Sequence, residues 1–496
     1  MPATPPPAPT DLPSSLDRAV GALVGLAAGD AVGTALEFCA PGTFEPITDM
    51  VGGGPFGLPA GAFTDDTSMA LCLAESIVDT GGMHLADQLR RYLRWRDHGY
   101  LSSTGACFDI GGTTTAQLER FRRTGEPVDP APSPGAAANG SLMRLAPVPI
   151  RWHTDLDAAV AMAAESSRTT HAAQRPVDCC RLLGAVVAAL VAGEAFEAVT
   201  DPTWWRWGDL HPEVAAVAAG SWRHRQPPEI KGSGYCVAAL EAALWAVGGA
   251  ADFADAVLRA ANLGDDADTT AAIAGQVAGA RWGASGIPAR WRSTLVLGER
   301  TRSLATCLHA AAVGDPAGGP DGRWPFDRVV HGWWVDPGRV LAGEYPGDRD
   351  ASRARLKLDV LVDAGMRTFV DLTTLDDGLG AYRAVLDDIA ACRALDLRRL
   401  QFPIPDVGVI DDDGYTPIVE AITAAAGRGG VYVHCWGGVG RTGTVVGCLL
   451  ADRGLAYAQI VTRIAEARAG SRKASRPAPE TERQSAVIRR RAEHRC

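Results

Sequence analysis

The chain has 496 residues, which is more than one ordinary domain holds, so we expect two or three domains. Hydrophobic residues make up 47% and charged residues 21% of the sequence, a composition typical of globular proteins. The formal net charge of −10 argues against a nucleic-acid backbone or an anionic membrane surface as the main partner.

Residues 1–15 form a proline-rich leader that we expect to be disordered. Residues 19–28 are apolar enough for the core of a signal peptide, but no basic segment precedes them, and no apolar run approaches the ~20 residues of a membrane span. The eleven cysteines have no repeated spacing, which indicates reduced thiols rather than a disulfide framework. We therefore expect a cytoplasmic enzyme without membrane or nucleic-acid partners.

From residue 16 to residue 313 the sequence is mostly helical in pattern and rich in alanine and other small residues. The clearest helical stretches are residues 67–78, 177–191, 237–247 and 269–282. Small residues allow helices to pack closely, so residues 16–313 predict one large all-α domain.

Residues 314–326 are dense in glycine, proline and aspartate and are predicted to be a linker. In residues 327–496 short β-branched runs, at residues 367–372 and 430–433, alternate with helical stretches. This alternation predicts an α/β domain. The expected fold is therefore multidomain, with an all-α domain followed by an α/β domain.

Two segments about 200 residues apart place aspartates and threonines where a helix of small residues begins. They are GAFTDDTSM at residues 61–69 and NLGDDADTTAA at residues 262–272. Each segment alone is most simply a helix N-cap, because Asp and Thr are favoured there. Together they also suit Mg²⁺, which requires carboxylate and hydroxyl oxygens from distant segments. A third segment, AGDAVGTALEF, puts Asp30 and Glu37 on one helix face, where a polar stripe on a buried helix is the structural alternative.

Six motifs, in this order along residues 16–305, resemble the ADP-ribosylglycohydrolase family of the dinitrogenase-reductase-activating type. Each motif alone is weak, so the resemblance depends on their number and order. They are GDAVGTALEF, FTDDTSM, NGSLMR at residues 139–144, the pair Thr170 and His171, GSGYCVAALEAALWA at residues 232–246, and GDDADTTAAIAGQVAGARWG at residues 264–283. Residues 109–114, DIGGTT, are similar to a substrate loop.

The resemblance implies a centre of two Mg²⁺ ions, with Mn²⁺ as the alternative, and assigns roles to named residues. The implied metal ligands are Thr64, Asp65, Asp66, Asp266, Asp268 and Thr269. The implied ADP-ribose-binding residues are Asn139, Gly140, Ser141, His171, Ser233, Gly234 and Tyr235. Glu37 is the implied catalytic carboxylate near the scissile bond. Two alternatives stay open: Asp265 competes as a ligand or faces solvent, and His171 is a capped surface histidine.

The stretch VHCWGGVGRTG, at residues 433–443, joins a predicted strand to a predicted helix. Its glycines let the backbone wrap around a tetrahedral anion, and the N–H groups at a helix start attract negative charge. Arg441 can bind two oxygens of a phosphate. The same electrostatic field favours the thiolate form of Cys435, which is a nucleophile for phosphoryl transfer. The alternative is a buried cysteine near a surface arginine.

This loop resembles the signature of cysteine-dependent protein phosphatases of the tyrosine and dual-specificity class, and the resemblance extends over about residues 327–490. It implies that Cys435 is the nucleophile, that His434 orders the loop and that Thr442 stabilises the leaving thiolate. The residues implied to bind phosphate are Trp436, Gly437, Gly438, Val439, Gly440 and Arg441.

The same resemblance implies a general acid roughly thirty residues upstream of the cysteine. The segment QFPIPD places Asp406 there, with the proline–aspartate pattern of the family. Asp411, Asp412 and Asp413 are nearby competitors, and a plain acidic loop is the structural alternative for all four.

Our first hypothesis for the whole chain is a bifunctional hydrolase. One site would remove ADP-ribose from a protein side chain, with arginine as the first candidate, or from an ADP-ribose-containing small molecule. The other would hydrolyse the phosphate monoester of a protein or a small molecule. The alternative is an ADP-ribose-binding module fused to a phosphatase that acts on a protein or on a phosphorylated ADP-ribose derivative. A degenerate binding module would usually lose a metal aspartate, and all six implied ligands are present.

Overall fold

The computed structural model describes residues 12–315, 318 and 322–494. The chain divides into two compact units, Met1–Val313 and Gly314–Cys496. Residues 1–11 of the predicted leader lie outside the described residues. The end of that leader is not disordered, because the first helix begins at Ser15 and the Ser14 side chain accepts a hydrogen bond from the Asp17 N–H.

Unit 1 is helical throughout its described part, which confirms the predicted all-α class. Its two isolated β-bridges join Gly53 to Leu58 and Ala138 to Tyr235. The helices are α1 (Ser15–Gly33), α2 (Asp65–Thr80), α3 (Leu85–His98), α4 (Gly112–Thr124), α5 (Pro147–Trp152), α6 (Leu156–Arg168), α7 (Gln174–Ala192), α8 (Phe196–Val199), α9 (Pro212–Ala218), α10 (Cys236–Gly248), α11 (Phe253–Ala261), α12 (Ala267–Gly286), α13 (Ala289–Thr294) and α14 (Gly298–Val313).

Helices α1 and α12 are antiparallel and lie in backbone contact at the centre of unit 1. Glycines at every fourth position of α1, from Gly21 to Gly33, face small residues of α12. A Cβ on Gly25 would lie 2.3 Å from the carbonyl oxygen of Gly275, and a Cβ on Gly33 would lie 2.4 Å from that of Ala267. The glycines therefore permit a close approach that brings the end of α1 against the start of α12, where the two acidic motifs lie.

Replacing Gly25 with valine is expected to lower the free energy of unfolding of unit 1 by about 3 kcal/mol or more. The reason is that the new side chain meets backbone atoms of α12, which cannot rotate away. Chemical denaturation followed by circular dichroism measures this loss. Gly82→Ala is the matched control, because a Cβ added to Gly82 would meet no atom within 4 Å. A Gly25→Val protein that unfolds at the wild-type denaturant concentration would contradict this packing.

Helix α1 and the turn that follows it, Ser15–Leu36, are long and apolar enough to cross a membrane by length and composition. The sequence contains no uninterrupted apolar run of this length, so we did not expect such a segment. In the structure 94% of the most apolar part of this segment is buried within the protein. A central core helix meets the same criteria, and its position against α12 accounts for its composition.

Unit 2 contains a five-stranded sheet, in agreement with the predicted α/β class. The strands are β1 (Gly332–Asp336), β2 (Val340–Gly343), β3 (Met366–Asp371), β4 (Arg398–Gln401) and β5 (Gly430–His434), in the order β1-β2-β5-β3-β4. β1 pairs with β2 in antiparallel orientation, and the other pairs are parallel. The carboxyl ends of β3, β4 and β5 therefore lie at one edge of the sheet, which is where parallel α/β sheets place their ligand sites.

The helices of unit 2 are α15 (Ala351–Asp363), α16 (Arg383–Arg393), α17 (Tyr415–Ala426), α18 (Gly440–Asp452), α19 (Tyr457–Arg468) and α20 (Glu482–Glu493). Helices α17 to α20 share one hydrophobic cluster with the sheet. Helices α15 and α16 pack against each other outside that cluster, and α15 contacts β3. The central strand β5 is buried along its whole length and leads into α18 through the glycine-rich loop.

Candidate active sites

The carboxylates of unit 1 meet where the end of α1 faces the starts of α2 and α12. One oxygen each of Asp30, Asp66 and Asp268 lies within 4.8 Å of the others, and all three residues are buried. One oxygen each of Glu37, Asp266 and Asp268 forms a second group of the same size. Asp268 thus belongs to both groups, and two such groups that share a carboxylate suit a pair of divalent cations.

Neither acidic helix start is capped by its own side chain, although capping was the simplest interpretation of each motif. Asp30 caps α2 from a distance: its Oδ1 accepts from the N–H (2.9 Å) and hydroxyl (3.0 Å) of Thr64, and its Oδ2 from the N–H (3.0 Å) and hydroxyl (2.6 Å) of Thr67. Glu37 Oε2 accepts from the N–H groups of Ala267 (2.9 Å) and Asp268 (3.3 Å) at the start of α12. The aspartates of the two motifs are therefore available for the centre rather than for their own helix ends.

The threonine hydroxyls lie among more carboxylate oxygens than they can serve. The Thr64 hydroxyl lies 3.0 Å from Asp30 Oδ1, 3.2 Å from Asp66 Oδ2 and 3.1 Å from Asp268 Oδ2. A hydroxyl has one hydrogen to donate, so the Thr64 hydroxyl can serve only one of these three carboxylate oxygens. The Thr269 hydroxyl donates to Asp66 Oδ1 over 3.1 Å. A site with more oxygen acceptors than hydrogen atoms to satisfy them is the kind of site that binds a hard cation such as Mg²⁺.

The pKa values of these carboxyl groups reflect the crowding. Burial, followed by the charge of Asp268, raises the pKa of Asp30 and that of Asp266 to about 7. The same two causes raise the pKa of Asp66 well above its usual range and that of Glu37 to about 12. Carboxylates this close remain ionised at neutral pH only when a cation balances their charge, so the donor set fits a divalent metal.

A cavity of about 490 Å³ opens over this centre. It is lined by eight of the residues that the sequence assigned to the site: Glu37, Asp65, Asn139, Gly140, His171, Asp266, Asp268 and Thr269. Thr64 and Asp66 are fully buried and take part in the carboxylate cluster without lining the cavity. Asp65 lines the cavity but belongs to neither carboxylate group among the described residues.

Four residues predicted to bind ADP-ribose do not line the cavity. Ser141 is buried, and its hydroxyl accepts a hydrogen bond from Ser167 over 2.9 Å. The Tyr235 hydroxyl donates to a carboxylate oxygen of Glu213 on α9. Ser233 and Gly234 instead position Asn139, which does line the cavity. The Ser233 carbonyl oxygen accepts from the Asn139 side chain (3.2 Å), and the Gly234 carbonyl oxygen accepts from the Asn139 N–H (3.1 Å).

Asn139 and His171 form a second part of the cavity wall. The Asn139 amide donates to Asp266 Oδ2 over 2.9 Å, which ties this wall to the carboxylates. His171 is 2% exposed, so it is not a surface histidine, and burial followed by the charge of Arg144 lowers its pKa to about 3. A Cβ on Gly140 would lie 2.9 Å from His171 Cε1, so glycine is required for this loop to rest on the ring.

The structure adds Asp30 and Asp109 to the residues assigned to this site, and it decides between Asp265 and Asp266. Asp30 joins the carboxylate cluster, and its isolated charge in an apolar helix was the available signal. Asp109 lines the cavity with a φ of 59°, and burial followed by the charge of Asp268 raises its pKa to about 8. Asp265 is exposed and uses its backbone, not its carboxylate, to contact Phe38 and Cys39. Asp265 therefore faces solvent, and Asp266 is the residue of the pair that lies in the centre.

In unit 2 the loop between β5 and α18 buries both Cys435 (3% exposed) and Arg441 (2%). Gly438 has a φ of 71°, and a Cβ there would lie 2.3 Å from the backbone of Gly343 at the end of β2. The carbonyl oxygen of Trp436 accepts a hydrogen bond of 3.0 Å from the N–H of Tyr345, which lies two residues after the end of β2. The loop is thus fixed against β2, with a left-handed glycine at the closest approach.

Arg441 is held by two carboxylates and one carbonyl group. Its two terminal nitrogens donate to Asp377 over 2.8 and 3.0 Å, and one of them also donates to the carbonyl oxygen of Ile404 over 3.1 Å. A third contact, of 2.9 Å, joins it to Asp406 Oδ1. Burial acts to raise the pKa of Asp377, but its hydrogen bonds with Arg441 and Thr374 lower it overall. Asp377 was not assigned from the sequence, and it remains ionised and positions the arginine.

Asp406 is the aspartate of its loop that lines the cavity above Cys435. Its side chain is 51% exposed, so water can reach its carboxyl group. Asp411, Asp412 and Asp413 are exposed and do not line the cavity. Asp412 accepts two hydrogen bonds from Arg490 (2.7 and 2.8 Å), so its carboxylate is paired with a surface arginine and does not contact the cysteine loop.

His434, which precedes Cys435, and Thr442, which follows Arg441, are fully buried. His434 Nε2 lies 2.8 Å from the Tyr382 hydroxyl, and burial, only partly opposed by the charge of Asp371, lowers the pKa of His434 to about 4. His434 is therefore neutral and structural, as expected of a residue that orders the loop. The Thr442 hydroxyl has no hydrogen-bond partner among the residues that the structure describes.

The cavity over the cysteine loop has a volume of about 680 Å³ and a basic wall. Besides Arg441, its lining includes four basic side chains: Lys357, Arg472, Lys473 and Arg476. Lys473 is tied to the loop, because its ammonium group donates to the carbonyl oxygen of Gly437 over 2.9 Å. Glu344 accepts from both Lys473 (2.8 Å) and Arg472 (2.6 Å) at the same wall. Such a wall attracts anionic ligands.

Both units are similar to known families. Residues 11–320 match the sequence model of ADP-ribosylglycohydrolase, and residues 331–493 match that of a Swiss Army Knife protein, DSP-PTPase phosphatase domain. The "ADP-ribosylarginine hydrolase Tri1" of Pseudomonas putida (strain GB-1) is 44% identical over 272 residues, which cover 55% of this chain and 72% of that protein.

Two further similarities fall on unit 1. The ADP-ribosyl-(dinitrogen reductase) glycohydrolase of Rhodospirillum rubrum is 32% identical over 249 residues, which cover 50% of this chain and 78% of that protein. A solved structure described as "ADP-ribosylglycohydrolase-related protein complex" is 39% identical, with a TM-score of 0.54, and the alignment covers 61% of this chain and 100% of that one.

Proposed function

Because the chain belongs to the ADP-ribosylglycohydrolase family and ends in a dual-specificity-type phosphatase domain, we propose that it is a bifunctional hydrolase. Unit 1 removes ADP-ribose from modified arginine side chains of proteins in a Mg²⁺-dependent reaction. Unit 2 hydrolyses phosphate monoesters through the thiolate of Cys435. Arginine as the acceptor is supported by the name of the relative from Pseudomonas putida, and Mg²⁺ by the oxygen-only donor set.

One observation carries the glycohydrolase proposal. Of the two carboxylate groups that share Asp268, one lines a cavity large enough for a nucleotide sugar and the other is buried next to it. A module that only binds ADP-ribose has no need to bury this many carboxylates together, because their mutual repulsion costs stability. A catalytic centre does need them, to hold cations next to the bond that is cleaved.

The reaction at the anomeric carbon passes through a cation-like sugar. Bound Mg²⁺ would supply positive charge that holds the ribose hydroxyls and polarises a water molecule. Asn139 and His171 form the wall that orients the ADP-ribose, with His171 neutral at physiological pH. Glu37 lines the same cavity, where its carboxylate can take the proton of the attacking water. The C–N bond breaks with its electron pair on nitrogen, and the departing guanidine takes up that proton, so that arginine leaves in its protonated form.

The test measures release of ADP-ribose from an ADP-ribosyl-arginine peptide. Purified protein is treated with EDTA, dialysed, and assayed with no metal, with Mg²⁺ and with Mn²⁺. We expect activity to be lost after EDTA and restored by Mg²⁺, because the carboxylates repel one another without a cation. Release that continues undiminished without metal would refute the mechanism. Binding of ADP-ribose without any release in Mg²⁺ would favour the binding module.

In unit 2 the Cys435 thiolate attacks phosphorus and forms a thiophosphate bond while the ester oxygen leaves. Arg441 binds the non-bridging oxygens once its contact with Asp406 is given up, while Asp377 keeps the guanidinium group in place. Asp406 donates a proton to the leaving oxygen. Water then attacks the thiophosphate, Asp406 takes the proton back, and phosphate leaves with the thiolate restored.

Replacing Asp406 with asparagine is expected to lower kcat for a phosphotyrosine peptide about 10²- to 10³-fold, because the leaving oxygen receives no proton. The loss should be smaller for p-nitrophenyl phosphate, whose leaving group is stable as an anion. Steady-state assays of both substrates measure this difference. Asp413→Asn is the control, since Asp413 is exposed and outside the cavity. Equal losses on both substrates would exclude Asp406 as the general acid.

The basic wall also favours a second candidate substrate for unit 2. A phosphate monoester that carries further anionic groups, such as a phosphorylated ADP-ribose derivative, could contact the basic side chains of Arg472 and Arg476 as well as the loop. A phosphotyrosine peptide has no need of those contacts. A kcat/KM that is higher for the polyanionic ester, and that falls with rising salt, would identify the small molecule as the better substrate.

A further inference from the structure

Phe38 stands at the cavity of unit 1 in an unusual state for an aromatic residue. It follows Glu37 directly, lines the same cavity as the carboxylates and is 65% exposed. Its φ of 60° lies in the left-handed region, where a bulky side chain is an outlier. An exposed ring on a strained backbone is costly, and such residues cluster at functional sites.

The backbone around Phe38 is fixed to the start of α12. The Phe38 N–H donates to the carbonyl oxygen of Asp265 over 2.7 Å, and the Asp265 N–H donates to that of Cys39 over 2.8 Å. Asp265 is left-handed as well, with a φ of 59°. This two-bond bridge holds Phe38 at a set position relative to Asp266 and Asp268, which follow Asp265 in the chain.

The ring of Phe38 is braced from a second direction by two more phenylalanines. Phe56 packs edge-on against it, with the ring centroids 6.3 Å apart. Phe108 packs against Phe56 at 5.2 Å and is followed at once by Asp109, which lines the cavity. Phe38, Phe56 and Phe108 come from three separate segments, and we call them the phenylalanine rim. The brace shows that the exposure of Phe38 is built into the fold.

We propose that Phe38 stacks on the guanidinium group of the ADP-ribosylated arginine and so selects arginine as the acceptor. The inference rests on the proposed glycohydrolase activity. The modified side chain reaches the centre from a protein, so it must pass the solvent-exposed edge of the cavity, where Phe38 lies. Asp65 and Asp109 line the same cavity and offer carboxyl oxygens that can accept from the N–H groups of a guanidinium. A planar cation binds best between an aromatic face and carboxylates.

Phe38→Leu keeps an apolar side chain but removes the aromatic face, and Phe38→Tyr keeps the face. Binding of ADP-ribosyl-arginine and of ADP-ribose to each protein is measured by calorimetry in Mg²⁺, with Glu37→Gln added to every protein so that the substrate is not cleaved during the titration. We expect Phe38→Leu to weaken binding of ADP-ribosyl-arginine about tenfold and to leave ADP-ribose binding unchanged. Phe38→Tyr should behave as wild type. Val51→Ala, which changes an exposed apolar residue outside the cavity, should alter neither affinity.

A second arm compares kcat/KM for ADP-ribosyl-arginine with that for ADP-ribosyl-serine, whose acceptor is neutral. The Phe38→Leu loss should be confined to the arginine substrate. Equal weakening of ADP-ribose itself would place the ring against the nucleotide and overturn the proposal, as would an unchanged affinity for ADP-ribosyl-arginine. A wild-type protein that binds ADP-ribosyl-arginine but releases nothing would contradict the proposed function, while the binding arm would still decide the role of Phe38.

Discussion

Replacing Cys435 with serine is expected to lower kcat for phosphate monoester hydrolysis by at least about 10⁴-fold. Release of ADP-ribose should stay at the wild-type rate. The serine hydroxyl is protonated at neutral pH and is a far weaker nucleophile than a thiolate. Arg441 and the loop N–H groups would still bind phosphate, so KM should change much less than kcat. Assays with p-nitrophenyl phosphate and with the ADP-ribosyl-arginine peptide measure both activities on one preparation.

The matched control is Cys392→Ser. Cys392 lies on α16, is only partly buried and does not line the cavity, so its replacement should leave both activities unchanged. A Cys435→Ser protein that cleaved p-nitrophenyl phosphate at the normal rate would contradict the assignment of the nucleophile. A protein that lost both activities would indicate a folding defect, which a thermal unfolding curve would reveal.

The elements with the strongest hydrophobic patterns were predictable from the sequence. The predicted helices at residues 67–78 and 269–282 correspond to α2 and α12, and the predicted strands at residues 367–372 and 430–433 to β3 and β5. β4 was missed because Arg398–Gln401 is a short strand at the edge of the sheet with no fully buried side chain. Such a strand has no alternation of polar and apolar residues to detect.

The two acidic motifs show that local sequence does not identify which residue caps a helix. Asp and Thr at a helix start indicate an N-cap, and this interpretation is reasonable for either motif alone. In the structure the caps of α2 and α12 come from Asp30 and Glu37, which belong to a different segment. Only the close packing of α1 on α12, made possible by glycine, delivers them. A cap supplied by another segment leaves no local pattern.

Asp377 and Phe38 are two further residues whose roles the local sequence does not indicate. Asp377 lies in a short turn after β3 and accepts two hydrogen bonds from Arg441 across the carboxyl edge of the sheet. Nothing in its neighbours distinguishes it from a solvated aspartate. The position of Phe38 depends on a backbone bridge to Asp265, more than 200 residues away in the chain. Residue types identified the chemistry of each site, whereas the residues that position it depend on contacts between distant segments.

Replacing Asp268 with asparagine is expected to lower ADP-ribose release by at least about 10³-fold, because this carboxylate belongs to both groups and its loss removes charge from each. Phosphatase activity should not change. The same substitution should make unit 1 more stable in EDTA, since it relieves repulsion among buried carboxylates, and should abolish most of the rise in Tm that Mg²⁺ gives the wild type.

These opposite signs separate a metal centre from a structural cluster. If the carboxylates only stabilised the fold, Asp268→Asn would lower Tm in EDTA, because asparagine keeps one side-chain oxygen and either Thr64 or Thr269 would lose its acceptor. If they hold Mg²⁺, the variant gains stability without metal and loses the stability that metal adds. Asp265→Asn, three residues away and exposed, should leave Tm and both activities unchanged. A thermal unfolding series over Mg²⁺ concentration in the three proteins distinguishes the two outcomes, since linkage requires the Tm to follow the occupancy of the site.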